Sequence, residues 1–210
     1  MQLVGKLEIK SKDKIIEFLS SQQTGRIASI DDNGFPQIIP MNFVFIDDTV
    51  YMHSHIRGEK LDNIKRNQKV GFEVDKNLEF LPSYFSDPTD ASLADTLYIS
   101  VVIKGNAGIV SDKQEKTNAL NGLMKKYQPE GGYEPINPNM DVLKQVEVIK
   151  IVPESLKGKY KIGQNMDMKS RVDLARKILE RNSSTARETL EIMGFQVIDD
   201  ELKLVDDKPW

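Results

Sequence analysis

The chain has 210 residues, 39% of them hydrophobic, which suffices for one buried core with a small appendage. Its 29 basic against 32 acidic side chains leave a net charge of −3, too little for a global field that would hold nucleic acid or an anionic membrane, so any anion site must be local. With no cysteine there are no disulfides, thiolate metal sites or cysteine nucleophile, and without an apolar run of signal-peptide or membrane-span length the composition points to a cytoplasmic protein.

Ser11 to Gln23 predicts an amphipathic helix, with Ser11 as its cap and Ile15, Ile16, Phe18 and Leu19 clustered on one side. Gly25 to Ile30 reads as a strand, and Asp31-Asp32-Asn33-Gly34 as a hairpin turn. The next strand runs from Pro36 to Ile46, and Asp47-Asp48 turns the chain into a third from Thr49 to His55; such a meander implies an antiparallel sheet. A short basic helix follows from Glu59 to Arg66, with Leu61 and Ile64 on one face, and then a strand from Val70 to Val74.

Asn77 to Asp95, interrupted by Pro82 and Pro88, reads as a long loop. Thr96 to Val110 is β-rich, with Gly105 and Gly108 marking a bulge or barrel corner. A helix over Asp112 to Tyr127, capped by Ser111 or Asp112, precedes the irregular stretch from Gln128 to Met140, and Val142 to Val152 alternates as the last strand until Pro153 stops it. Six antiparallel strands with one or two helices over the openings predict a mainly β, α+β protein built on a small closed or split β-barrel, with an open sandwich as the alternative. Past Lys161 the pattern turns helical at Ser170 to Arg181 and Thr185 to Met193, ending in a hairpin over Phe195 to Val205. The expected division is a barrel domain over residues 1–160 and a C-terminal extension over 161–210.

Chemistry concentrates between the third strand and the basic helix. Ser54 places a small hydroxyl at a strand end, while Arg57-Gly58-Glu59-Lys60 opens a helix whose first N–H groups lack intrahelical acceptors. A cation one turn into that helix would complete a phosphate cradle. Taken singly, Lys60 is a surface lysine and Ser54 an ordinary strand-end residue; their spacing favours the cradle. Asn42, an amide among Ile38, Ile39, Met41 and Phe43, needs a partner if buried and none if it faces outward. His53 and His55, the only histidines, point to one side of their strand; they line a pocket, bind metal, or stay satisfied and exposed. Metal is the weakest of these, since no carboxylate or cysteine stands at ligand spacing beside them. Glu73 and Asp75 share a strand face and read as solvated rather than as an acid–base pair. There is no G-x-G-x-x-G fingerprint and no nucleophilic triad in a recognisable frame.

Four pieces follow one another in order: Pro40-Met41-Asn42-Phe43, Tyr51-Met52-His53-Ser54, Gly58-Glu59-Lys60-Leu61-Asp62 and Val70-Gly71-Phe72-Glu73-Val74-Asp75. Together they resemble the FMN-binding split-barrel proteins, in particular the branch related to pyridoxamine phosphate oxidase and the nitroimidazole resistance proteins, over residues 24–159. The resemblance implies FMN as cofactor and a homodimer with the flavin near the subunit interface. It also implies a two-electron oxidoreductase activity on a small molecule, oxidase-like or nitroreductase-like, with NAD(P)H at most a transient visitor. In its terms Ser54 and Lys60 hold the phosphate, and Ile39, Pro40, Met41 and Asn42 read the ring. His53 lines the pocket as donor or proton source, and Ser100 lies against the flavin unless it faces solvent. His55 stays outside the site. Gly71 stands where relatives often carry cysteine, so no thiol role transfers. Lys161 to Asn165 resembles a K-x-Q-N segment that follows the barrel in some relatives, including transcription-associated ones. Two other readings stay open: a non-enzymatic flavin redox sensor whose tail contacts a partner, and a haem-binding or haem-degrading barrel using His53 or His55.

Overall fold

The computed structural model describes residues 5–199 and 201–207. The first four residues of the N-terminal segment and Asp200, at the tip of the expected hairpin, lie outside it. Two compact units interleave along the chain. One comprises the stretch up to Lys14, Asp75–Ser100 and the chain from Gly158 onward; the other comprises Ile15–Val74 and Val101–Lys157. The division expected at residue 160 follows sequence order, whereas the compact units cross it.

The strands are β1 (Glu8–Ile9), β2 (Thr24–Ile30), β3 (Pro36–Asn42), β4 (Val44–Ile46), β5 (Thr49–His55), β6 (Lys69–Leu81), β7 (Asp95–Ile109) and β8 (Val146–Lys161). Helix α1 (Lys12–Ser21) precedes β2, α2 (Glu59–Arg66) follows β5, and α3 (Lys113–Tyr127) lies between β7 and β8. The sheet runs β3-β2-β6-β7-β8-β5-β4, with β1 pairing onto β8. Its two ends, β3 and β4, are separated in sequence by one residue, so the sheet bends back on itself and stays split where β3 and β4 part.

The single strand expected from Pro36 to Ile46 is therefore two, broken at Phe43. Phe43 is fully buried, packing edge-on against Phe72 with 5.1 Å between ring centroids. Its backbone leaves both ladders, and one hydroxyl replaces them. The Phe43 N–H donates to Tyr127 Oη at 2.8 Å, and that hydroxyl lies within donating distance of Gln23 O (2.6 Å) and Phe43 O (3.1 Å). Burial pushes the Tyr127 phenol above its ordinary range. Lys126 sits 3.7 Å above the Phe43 ring and donates to Leu19 O at 3.0 Å; burial lowers its pKa to about 8.

Three further expectations are corrected. β6 continues to Leu81, so Asn77 to Leu81 is strand, and the loop begins at Pro82 with two 3-10 turns inside it. β8 starts at Val146 and passes through Pro153, which falls after the last pair with β5 (Ile151↔Val50) and before the pair with β1 (Gly158↔Ile9). On that side no ladder needs the missing N–H. Finally, the sheet has eight strands rather than six, through the break at Phe43 and the short β1.

In the second unit, α3 is capped by Asp112, whose carboxylate accepts the Glu115 N–H at 2.7 Å. It covers a cluster that includes Val44, Val110, Leu120, Leu123 and Val148. Gly105 is required by close approach: a Cβ there would lie 2.3 Å from Val152 O.

In the first unit, α4 (Met168–Arg181), α5 (Ala186–Ile192) and the hairpin of β9 (Phe195–Ile198) and β10 (Glu201–Leu204) are stitched by buried polar groups. Glu79 accepts from Arg181 Nη1 and Thr185 Oγ1, both at 2.7 Å, and from Ser183 Oγ. Arg171 donates to Met193 O and Asp207 O. Gln164, in the K-x-Q-N segment, donates to Tyr160 O at 2.6 Å and accepts the Ile162 N–H at 3.0 Å, fastening the turn after β8.

Candidate functional site

β5 alternates cleanly: Val50, Met52 and Ser54 point inward, while His53 and His55 point outward. Ser54 is 4% exposed, and its Oγ is buried with no hydrogen-bond partner among the described residues. A lone buried hydroxyl costs about 1–3 kcal/mol unless something meets it, which makes it a site candidate. Opposite it in register stands Glu147, whose carboxylate is matched by the Lys116 ammonium at 3.3 Å. The one acid in register with Ser54 is thus already compensated.

The bend that follows is built for a helix start without a side-chain cap. His55 Nδ1 accepts the Arg57 N–H at 3.2 Å, and Gly58 adopts φ 145°, in the region where a side chain would be strained. Gly58 caps α2 through backbone alone, so no side chain answers the N–H groups of the first turn. Leu61 and Ile64 are buried and anchor the helix, leaving Lys60 half-buried on its first turn.

Asn63, which the sequence did not single out, is the latch. Its Nδ2 donates to Ser29 Oγ (3.3 Å) and Gln37 Oε1 (3.2 Å), its Oδ1 accepts from Arg66, and Arg66 also reaches Ile30 O at 2.9 Å. α2 is thereby tied to β2 and β3. The available signal was a carboxamide between two core residues of an amphipathic helix, which needs partners if buried.

The other expected residues fall as follows. Ile39 and Met41 are half-buried on one side of β3, while Pro40 and Asn42 are exposed on the other with Ile38. β3 is an edge strand pairing only with β2, and Pro40 stands opposite Arg26. The split brings β3 alongside β5 without ladder pairing, so the β3 residues and the Ser54 strand are neighbours. His53 is exposed, in register with Val148 and facing away from Ser54. Ser100 is half-buried on β7, within the other compact unit. Glu73 is half-buried and pairs with Arg26 at 3.0 Å. Among the described residues no group of three or more His, Asp or Glu is placed to hold a metal ion, and no helix is long and apolar enough to cross a membrane.

Ser54 Oγ, the uncapped first turn of α2 and Lys60 offer a hydroxyl donor, backbone donors and a cation, the donor set a phosphate group takes. They fit the phosphate of a flavin mononucleotide.

Several solved structures share the fold. The chain is similar to a candidate 5-nitroimidazole antibiotic resistance protein from Bacteroides thetaiotaomicron, with 22% identity, 73% of this chain and 86% of that one covered, and a TM-score of 0.62. It is also similar to the flavocytochrome Anf3 from Azotobacter vinelandii (16% identity, 82% and 77% covered, TM-score 0.65). A FAD and heme binding protein from Mycobacterium smegmatis is a third (13% identity, 80% and 79% covered, TM-score 0.64). At these identities the likeness is one of fold. No curated protein sequence is significantly similar to the chain. The sequence model of the family described as pyridoxamine 5'-phosphate oxidase matches residues 11–160, from the start of α1 to the end of β8. On that match, and with an open, split antiparallel sheet behind it, the chain belongs to the pyridoxamine 5'-phosphate oxidase family.

Proposed function

We propose that the chain binds FMN at the bend between β5 and α2 and works as a homodimeric flavin-dependent oxidoreductase on a small molecule. The observation that carries this reading is the buried, unpartnered hydroxyl of Ser54 at the entrance to an uncapped helix. In this reading Ser54 donates to a phosphate oxygen, Lys60 supplies the charge-assisted contact, and the N–H groups of Glu59 and Lys60, ahead of the Leu61 N–H that donates to Gly58 O, complete the cradle. The β3 backbone from Ile39 through Pro40 and Met41 to Asn42 reads the ring through its N–H and C=O groups. His53, exposed on β5, donates to the substrate group that gains charge. FMN, when bound, supplies two-electron exchange at its N5 atom; the protein supplies binding, orientation and electrostatics.

The fold neighbours named for FAD and haem define the alternatives for the cofactor. The test is to purify the protein, record its absorption and identify what it releases on denaturation. A yellow protein that releases FMN supports the reading. A protein that takes up no flavin, or that gives a haem Soret band lost in His53→Ala, contradicts it. Steady-state turnover with NADH or NADPH and a panel of acceptors then separates an oxidoreductase from a flavin sensor, which turns over slowly or not at all.

A further inference from the structure

The first compact unit contains a groove of about 890 Å³ that the flavin reading does not use. One wall is the end of β6 and the connection to β7, with Leu81, Phe85 and Leu93. The other is the approach to α4 and its first turns, beginning at Met166. That second wall lies beyond residue 160, where the family match stops, so one side of the groove is built by this chain's own extension. Leu93, Met166 and Met168 remain 44%, 41% and 39% exposed, an apolar lining left in water. Lys177 holds the two walls together: its Nζ donates to Phe85 O at 2.6 Å and pairs with Asp173 at 2.8 Å.

The charges at the rim are unequal in what they leave free. Each acid is engaged: Asp95 pairs with Lys161, Asp173 with Lys177, and Asp167 caps α4 by accepting the Ser170 N–H and hydroxyl, both at 2.9 Å. Lys169 and Arg176 have no ion-pair partner among the described residues. They lie seven residues apart on α4, two turns along one face and about 10 Å from each other. A slot of ligand size with Leu81, Phe85, Leu93, Met166 and Met168 on its apolar side, a polar rim and two spare cations on one wall selects a body that is apolar at one end and negative at the other. With Phe85 the only aromatic ring in the lining, a stacked base is disfavoured against an aliphatic chain.

We propose that this groove is a second ligand site, which takes small amphipathic carboxylates of the medium-chain acyl class. It stands independently of flavin binding. The test is to titrate the full chain, carrying 13C-methyl methionine, with dodecanoate and with dodecyltrimethylammonium below their micelle concentrations. Met166→Leu and Met168→Leu assign the two reporting methyls. The expected result is saturable displacement of both methyl resonances by dodecanoate and not by the cation. Ten-fold or greater weakening is expected in the Lys169→Glu/Arg176→Glu double variant, which alters only exposed side chains. Leu93→Trp, which fills the slot, should remove saturation with the melting temperature held. The proposal is overturned by absence of saturable shifts, by equal response to the cationic chain, or by undiminished affinity in the double variant. Displacement of the same resonances by a glutamate-rich peptide but not by dodecanoate would also overturn it, assigning the groove to a protein partner.

Discussion

Phe43 and Ser54 lie eleven residues apart in one compact unit, and both carry polar groups into buried surroundings, yet the protein treats them oppositely. At Phe43 the chain leaves both sheet ends, and the Tyr127 hydroxyl answers the stranded N–H and carbonyl. At Ser54 the hydroxyl is equally enclosed and nothing answers it. The seam is complete in itself; under the proposed function a guest completes the bend.

The comparison can be broken first on its structural side. Gly105→Ala forces a Cβ to 2.3 Å from a backbone oxygen that cannot rotate away, so it should cost about 3 kcal/mol or more in chemical denaturation. An unchanged midpoint would mean that β8 moves freely there. Tyr127→Phe should cost about 1–3 kcal/mol, because it strands the Phe43 N–H, and should leave flavin affinity unchanged. On the binding side, Lys60→Ala should weaken FMN by about 1.5–3 kcal/mol while sparing riboflavin, which lacks the phosphate. Equal loss for both would remove Lys60 from the cradle.

A smaller effect sharpens the seam. Lys126 titrates near 8 in the folded chain against an ordinary 10.5, so between those values the unfolded chain binds more protons and stability should rise with pH. Tyr51 works the other way. Burial and the Glu115 carboxylate raise it to about 12, so its contribution is present below pH 10 and lost as pH climbs towards 12. The clean window is pH 8 to 10, where Lys126→Met should flatten the slope; an identical slope would place the titration elsewhere.

Much of this was legible in the sequence, and the misses have causes. β5 and α2 match their expected bounds to the residue, since clear turn signals enclose them: Asp47-Asp48 before and the Arg57-Gly58 bend between. The break at Phe43 escaped because apolar residues continue through it to Ile46, and Asn42 was read as a residue within the strand rather than as its end. β6 looked finished at Val74 because the stretch from Asn77 is polar and interrupted by Pro82 and Pro88; the partners that hold its buried Glu79, Arg181, Ser183 and Thr185, come 102 to 106 residues later. Pro153 looked like a stop because sequence does not reveal which side of a strand is unpaired. In the site, Ser54 and Lys60 were visible through spacing, whereas the Asn63 latch depends on Ser29 and Gln37, which no local pattern links to it.

Ser54→Ala tests the central claim most directly, measured for apo stability and for affinity towards FMN and riboflavin together. Because the hydroxyl has no partner in the chain, its removal should leave the apo protein as stable or slightly more so, weaken FMN about ten-fold or more, and leave riboflavin unaffected. A destabilised apo protein, or equal weakening of both flavins, would contradict the account.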